Sequence, residues 1–147
     1  MSAAVALPDG SIATIGAVDQ TFRLASLSKM FVGWALLVAT EEGTLSLDQP
    51  AGQPGCTVRH LLSHAGGYPF DGAQPISAPG VRRIYSNSGI ELGAATLAES
   101  AGMPFDEYLH EAVFSPLGMT ATILRGSPAH GVRSTVHDLV IFVRELW

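Results

Sequence analysis

Residues 26–43, SLSKMFVGWALLVATEEG, constrain the fold of this chain more than any other segment. From Met30 to Ala39 every residue is apolar or glycine. Gly43 follows, and glycine is the residue most favoured just beyond a helix C-terminus. Because the segment is apolar on nearly every side, it predicts a helix buried in the core, from about Ala25 to Gly43. The apolar run is too short to cross a bilayer.

A hairpin signal precedes this helix. Two apolar runs, AAVAL and IATIGAV, flank the turn residues Pro8-Asp9-Gly10-Ser11. This pattern is typical of two antiparallel strands joined by a tight turn. We therefore expect a sheet hairpin within residues 1–24 and a helical region over residues 25–147. No third strand is evident after the hairpin.

Four further helices are predicted, each from a cap or breaker at one end. They are VRHLLSH behind Thr57, IELGAATLAESAG closed by Gly102, PFDEYLHEAVFSPLG from Pro104, and STVHDLVIFVRELW, where Thr135 lies three residues before Asp138. A lone two-stranded hairpin is marginal in water, and the last helix runs to Trp147 without a cap. We interpret residues 1–147 as a single, incomplete domain of the mixed α/β (α+β) class.

Composition supports a folded chain and excludes some partners. The chain has 147 residues, 47% hydrophobic and 14% charged, which is enough for one domain with a real core and unlike a disordered segment. The formal net charge is −5, and no basic cluster exceeds the pair Arg82-Arg83. Nucleic-acid binders carry a basic surface, so we expect no nucleic-acid partner.

The N-terminus and the cysteine content bear on the compartment. MSAAVALPDG has neither a basic start nor a long apolar run, so no signal peptide is predicted. As written, the chain is expected in the cytoplasm with no membrane partner, or in the periplasm or outside the cell if a leader has been removed. The single cysteine, Cys56, excludes an intramolecular disulfide, and its Gly/Pro-rich surroundings favour an inert thiol.

The only lysine of the chain, Lys29, lies three residues after Ser26 at the predicted start of the long helix. Residues three apart share a helix face, so the amine can lie beside the hydroxyl. A serine becomes a good nucleophile when a neighbouring group takes its proton. A buried lysine is able to do so, whereas an arginine effectively never loses its own proton. The S-x-x-K spacing is compatible with a nucleophilic serine, although taken alone the motif is more often a chance match with a solvent-exposed lysine.

A second motif, Tyr85-Ser86-Asn87, strengthens that interpretation. A phenol exchanges protons when a nearby cation lowers its pKa, and an asparagine amide both donates and accepts. The alternative is an ordinary turn. Before it, residues 65–80 hold several glycines and prolines, and a structureless stretch of that length inside a compact domain usually lies over a site.

The order of these segments resembles one family. FRLASLSKMF, LSLDQP, TVRHLLSHAGGYP, PGVRRIYSNSGIELGAATLAESAG, VFSPLGMTAT and GVRSTVHDL follow one another as in the serine β-lactamase-related proteins: class C β-lactamases, D,D-peptidases and related esterases. The resemblance covers nearly the whole chain. It implies the β-lactamase/transpeptidase-like fold, with the hairpin and helical part present and the C-terminal strands absent.

The resemblance also assigns roles by position. Ser26 matches the nucleophile that accepts the acyl group, and Lys29 the partner that activates it. Tyr85 matches the general base, and Asn87 the amide that orients lysine and substrate. The implied substrates are β-lactams, D-Ala-D-Ala peptides or small esters, and no metal or organic cofactor is implied.

The family's third motif, Lys-Thr-Gly or His-x-Gly on a strand facing the nucleophile, is not found after Tyr85-Ser86-Asn87. His130-Gly131 comes too early to serve. That strand supplies one of two oxyanion-hole donors in the family, and losing one such donor typically costs ~10²–10³ in kcat.

Two other constellations were considered. His60 and His64 have the i, i+4 spacing of metal ligands, but Leu61 stands where H-E-x-x-H needs glutamate. A Ser-His-Asp triad using His137 and Asp138 lacks a G-x-S-x-G elbow. Both are disfavoured.

Two classes of function therefore stay open. The first is a serine hydrolase that acts on a small-molecule or peptide substrate. The second is a catalytically silent fragment or binding module, completed by self-association or by another chain through the exposed sheet edge.

Overall fold

The computed structural model describes residues 1–146, so the expectation of an uncapped end at Trp147 lies outside the described residues. The hairpin prediction is confirmed. Strands β1 (Ala3–Ala6) and β2 (Ile12–Ile15) pair antiparallel, with Ala3 opposite Ile15. In the turn, Asp9 accepts hydrogen bonds from the backbone N–H and the hydroxyl of Ser11.

A second sheet shows that the prediction of no further strand was wrong. Strands β3 (Phe22–Arg23), β4 (Ile123–Leu124) and β5 (Val132–Ser134) form an antiparallel sheet in the order β3-β5-β4. Each strand has only two or three residues, too few to show an alternating pattern in the sequence. Residues 1–24 therefore contribute to two sheets, and two strands lie within the region expected to be helical.

The long helix α1 (Ser28–Glu41) forms as predicted, behind a 3₁₀ turn at Ala25–Leu27. Its buried residues recur at helical spacing: Ser28, Phe31, Val32, Ala35, Leu36 and Ala39. The expectation that the helix is buried all round was wrong, because Met30 and Leu37 are 47% and 48% exposed. Only one face of the apolar segment is covered by other elements.

The remaining helices are α2 (Val58–Leu62), α3 (Asn87–Ala101), α4 (Phe105–Leu109), which continues into a π-helical turn (His110–Phe114), and α5 (Val136–Glu145). Thr57 and Thr135 cap α2 and α5 as predicted. Helix α3 begins earlier than expected because the hydroxyl of Ser86 accepts the N–H of Gly89 and caps it. Gly102 ends α3 with φ +67°, a conformation that glycine adopts without strain.

Aromatic rings at the centre of the core join α1 to the later elements. Phe31 contacts Phe114 with ring centroids 5.5 Å apart and Phe142 at 4.5 Å. The hydroxyl of Ser28 also accepts the N–H of Val132 in β5 at 3.0 Å. The first turn of α1 is therefore anchored both to the core and to the second sheet, which holds the preceding residues in place.

Neither member of the disfavoured His137–Asp138 pair faces a serine. His137 is exposed and lies 3.6 Å from Asp19. Asp138 is buried and accepts hydrogen bonds from the N–H of Ala121 and the hydroxyl of Thr122. No helix within residues 1–146 is long and apolar enough to cross a membrane.

Candidate active site

Lys29 lies at the centre of the candidate site. Its Nζ donates to Asn87 Oδ1 at 2.7 Å, to the carbonyl oxygen of Ala129 at 2.9 Å and to Ser26 Oγ at 3.2 Å. An ammonium group has three N–H donors, so all three are used. The structure thus brings together Ser26, Lys29 and Asn87 from two separate motifs of the sequence.

Ser26 lies in the 3₁₀ turn just before α1, and its side chain is exposed. The preceding residue, Ala25, has φ +48°, a left-handed conformation that is uncommon for a residue other than glycine. Such backbone persists only where the surroundings hold it, and here the N–H of Leu24 bonds to the carbonyl of Val132 at 2.9 Å. The turn therefore presents the Ser26 hydroxyl to solvent in a fixed position.

Tyr85 completes the set of four predicted residues. Lys29 Nζ lies 4.8 Å from the centroid of its ring. Hydrogen bonding with Ser26 is the largest cause that lowers the pKa of the phenol, and Lys29 and Arg83 lower it further, against an opposing effect of burial. A larger share of this phenol is therefore in the deprotonated form, which is the form able to accept a proton, than for an ordinary tyrosine.

His64 holds Tyr85 from both sides. Its Nδ1 accepts the N–H of Ser86 at 3.2 Å, and its carbonyl accepts the N–H of Ile84 at 2.8 Å. The two rings also pack, with centroids 4.6 Å apart. Burial, followed by the charges of Arg83 and Lys29, lowers the pKa of His64. The imidazole is therefore kept neutral, as an acceptor at Nδ1 requires.

This arrangement explains why His60 and His64 do not form a pair of metal ligands. Helix α2 ends at Leu62, and His64 has φ +59°, so the two imidazoles do not share a helix face. His60 Nδ1 instead accepts the N–H of Thr57 at 3.2 Å as part of the helix cap. Within residues 1–146, no group of three or more metal-ligating side chains is found.

Sequence reasoning missed two partners of the site. Asp71 Oδ1 accepts from Asn87 Nδ2 at 3.0 Å, so the asparagine amide is held at both ends, with Oδ1 toward Lys29. Asp71 could have been found from the sequence, because it is a carboxylate within the Gly/Pro-rich loop that was expected to lie over a site. The Ala129 carbonyl is a backbone group, and no residue type marks it in the sequence.

The environment of Cys56 agrees with the prediction of an inert thiol. The side chain is buried, and burial raises the pKa of the thiol. A thiol that stays protonated is a poor nucleophile. Ser26, and not Cys56, is therefore the candidate nucleophile.

A pH dependence of stability follows from His64. Because its folded pKa is lowered, the unfolded chain takes up the proton at a higher pH than the folded chain. The stabilisation is complete above about pH 6.5 and is lost as the pH falls through the lower folded pKa. We expect the free energy of unfolding, measured with urea and tryptophan fluorescence, to decrease from pH 7.5 to pH 5.

The control is His64→Asn. Asparagine tolerates the left-handed backbone and offers an acceptor for Ser86, but it does not titrate. The other histidines contribute equally to both proteins, so the variant is expected to show a flatter profile. Identical pH slopes for the two proteins would show that His64 is not the group responsible.

Known proteins resemble the chain in sequence and in fold. The family model described as beta-lactamase matches residues 16–135. A beta-lactamase of Escherichia coli strain K12 is 30% identical, in a match that covers 84% of this chain and 47% of the relative. A crystal structure of a beta-lactamase from Mycobacterium bovis has a TM-score of 0.94 and 44% identity, covering 99% of this chain and 54% of that one.

A third relative carries a different activity in its name. A putative D-alanyl-D-alanine carboxypeptidase of Escherichia coli O157:H7 is 27% identical, covering 78% of this chain and 37% of the relative. The fold of the chain is that of the solved beta-lactamase structure. The chain belongs to the beta-lactamase family. It spans about half the length of the beta-lactamases that it matches.

Proposed function

We propose that this chain is a serine hydrolase in which Ser26 takes the acyl group of an amide or ester. The observation that carries the proposal is the set of contacts around Lys29, which bonds to Ser26 Oγ, Asn87 Oδ1 and the Ala129 carbonyl at 2.7–3.2 Å. An exposed hydroxyl, a fixed cation and a phenol with a lowered pKa meet at one point. This combination supplies a nucleophile, charge stabilisation and a proton acceptor.

In the proposed first step, Ser26 Oγ attacks the carbonyl carbon while its proton passes to Tyr85. Lys29 favours the charged form of Tyr85 and holds the hydroxyl in place. The bond from the carbonyl carbon to the leaving nitrogen or oxygen then breaks, and the leaving group takes the proton. In the second step, water attacks the acyl carbon and gives a proton to Tyr85. The bond from that carbon to Ser26 Oγ breaks, Ser26 takes the proton back from Tyr85, and the carboxylic acid product leaves. Asn87, held by its hydrogen bond to Asp71, keeps Lys29 in the same position during both steps.

The substrates that fit this chemistry are β-lactams, D-Ala-D-Ala peptides and small esters. The printed activities of the relatives, beta-lactamase and D-alanyl-D-alanine carboxypeptidase, support the first two. Both relatives extend well beyond the length matched here.

The test is covalent labelling. We expect a fluorophosphonate, and a fluorescent penicillin if β-lactams are accepted, to add one label per chain, located at Ser26 by peptide mass spectrometry. Ser26→Ala should remove the label, while Ser63→Ala, which removes an exposed hydroxyl elsewhere, should retain it. Labelling by the fluorophosphonate but not by the penicillin would favour small esters as the substrates.

Absence of label on a chain whose circular dichroism shows intact helices would contradict the proposal. That result would favour the second function, a binding module completed by another chain. One observation supports this alternative: the side chains of Val5, Ile12 and Ile15 on the hairpin are 43–61% exposed. Apolar strands exposed in this way are suited to pairing with further chain.

A further inference from the structure

The carboxylate of Asp71 is connected to the Ser26 hydroxyl through two side chains, Asn87 and Lys29. Asp71 accepts from Asn87 Nδ2 at 3.0 Å, Asn87 Oδ1 accepts from Lys29 at 2.7 Å, and Lys29 reaches Ser26 at 3.2 Å. Three hydrogen bonds thus connect Asp71 to the nucleophile.

The negative charge of Asp71 is not paired within the chain. Among residues 1–146, the ion pairs within 4.0 Å are Arg59–Asp48 and His137–Asp19. The partner of Asp71, the Asn87 amide, is neutral, and the Asp71 side chain is exposed. A charged carboxylate with free acceptor capacity toward solvent is suited to bind a cation of a ligand.

A second carboxylate lines a cavity next to the loop that holds Asp71. Glu91, one turn along α3 from Asn87, lines a cavity of about 470 Å³ together with Gly72, the residue after Asp71. Ser127 donates to Glu91 Oε1, which leaves the carboxylate without a cationic partner among the residues described. The charge of the cavity therefore adds to that of Asp71.

The neighbouring aromatic side chains favour the same kind of ligand. Phe70, directly before Asp71, is 54% exposed and stacks on Tyr85 with ring centroids 6.1 Å apart. An exposed aromatic face attracts cations and packs against apolar groups. A ligand with an ammonium group and an apolar side chain would meet both features.

Two cations of the chain lie in the same region, and neither neutralises Asp71. The three N–H groups of Lys29 are directed to Ser26, Asn87 and Ala129. Arg83 lies close enough to influence the pKa of Tyr85, yet it forms no ion pair with Asp71. Among the described residues neither cation forms an ion pair with Asp71, so its carboxylate stays available to a charged group of a ligand.

We propose that Asp71 is a specificity-determining residue that selects acyl donors carrying a protonated amine, such as amino-acid esters, amino-acid amides or peptides with a free amino terminus. The proposal rests on the proposed function of Ser26. The ammonium would donate to the Asp71 carboxylate, and the side chain of the donor would pack on Phe70. The scissile carbonyl would then lie over Ser26.

The first test compares two esters with the same leaving group, one with an aminoacyl group and one with its neutral N-acetylated form. We expect the aminoacyl ester to have the higher kcat/KM, and Asp71→Asn to lower the ratio of the two values by about tenfold, since a hydrogen bond to a charged group is typically worth that factor or more. Asparagine at this position keeps an acceptor for Asn87. Asp106→Asn, which removes the same charge from the distant start of α4, should leave the ratio unchanged.

The second test requires no turnover. Benzylamine, protonated at pH 7, and benzyl alcohol are titrated into ¹⁵N-labelled protein while amide shifts near Asp71 are followed. We expect benzylamine to bind at least about fivefold more tightly than benzyl alcohol, and Asp71→Asn to remove the difference. Preference for benzylamine without labelling of Ser26 would support the role of Asp71 and refute the catalytic proposal. Labelling of Ser26 with equal binding of the two probes, or preference for the neutral ester, would overturn the role of Asp71 alone.

Discussion

Replacing Lys29 by methionine is expected to slow the acylation of Ser26 by about two to three orders of magnitude, the range typical for loss of one preorganised hydrogen-bond donor in an active site. Methionine has a similar length but cannot donate to Ser26, Asn87 or Ala129. It also removes the cation that favours the charged form of Tyr85. The measurement is the second-order rate constant for labelling by a fluorophosphonate.

Lys29→Arg is the more informative variant, because it keeps the positive charge. Three acceptors converge on the single Nζ atom within 3.2 Å. A compact ammonium fits this arrangement, whereas the donors of a guanidinium spread over a planar fork. We expect Lys29→Arg to lose at least about a hundredfold in rate.

A matched control for Lys29→Met is Arg144→Met, which removes one positive charge from the exposed last turn of α5. Its labelling rate should equal that of the parent chain. If Lys29→Arg retained more than a third of the parent rate, charge alone would explain the role of Lys29. The argument from three converging acceptors would then be wrong.

The sequence predicted those contacts of the candidate site that join reactive residue types only a few positions apart. Ser26 and Lys29 lie one turn apart, so helix geometry alone predicts their contact. The approach of Tyr85 and Asn87 to Lys29 depends on packing between α1 and α3, and it was reached through the resemblance. The Ala129 carbonyl comes from a loop before β5, and only the folded chain shows that it lies opposite Lys29.

The sequence likewise predicted the elements of the fold that carry local signals and missed those that depend on distant pairing. The hairpin and the helices carry strong local signals: turn residues, caps and glycine stops. The second sheet was missed because its strands are only two or three residues long, and because β3 pairs with β5 across about a hundred residues, from Phe22 to Ser134. Such strands form because Leu24 and Val132 are brought together by the helices, so the pairing leaves no periodic pattern in the sequence.

Asp138 illustrates a residue whose importance is not visible in the sequence, and it supports the second large prediction. We expect Asp138→Ala to lower the free energy of unfolding by about 3 kcal/mol. The substitution leaves the Ala121 N–H without its partner and removes the 2.7 Å bond from the Thr122 hydroxyl in a buried environment. The measurement is urea unfolding at pH 7, read from the transition midpoint at constant slope.

The controls separate the buried hydrogen bonds from the helix cap. Asp138→Asn keeps one acceptor of similar shape, so its loss should be smaller than that of alanine. Asp106→Ala removes an exposed carboxylate from the first turn of α4 and should change stability by less than about 1 kcal/mol, the scale of a charge at a helix N-terminus. The Thr135 side chain still caps α5 in every variant, because it accepts the backbone N–H of residue 138. Equal losses for the alanine variants at positions 138 and 106 would contradict the structural role of Asp138, since burial would then make no difference.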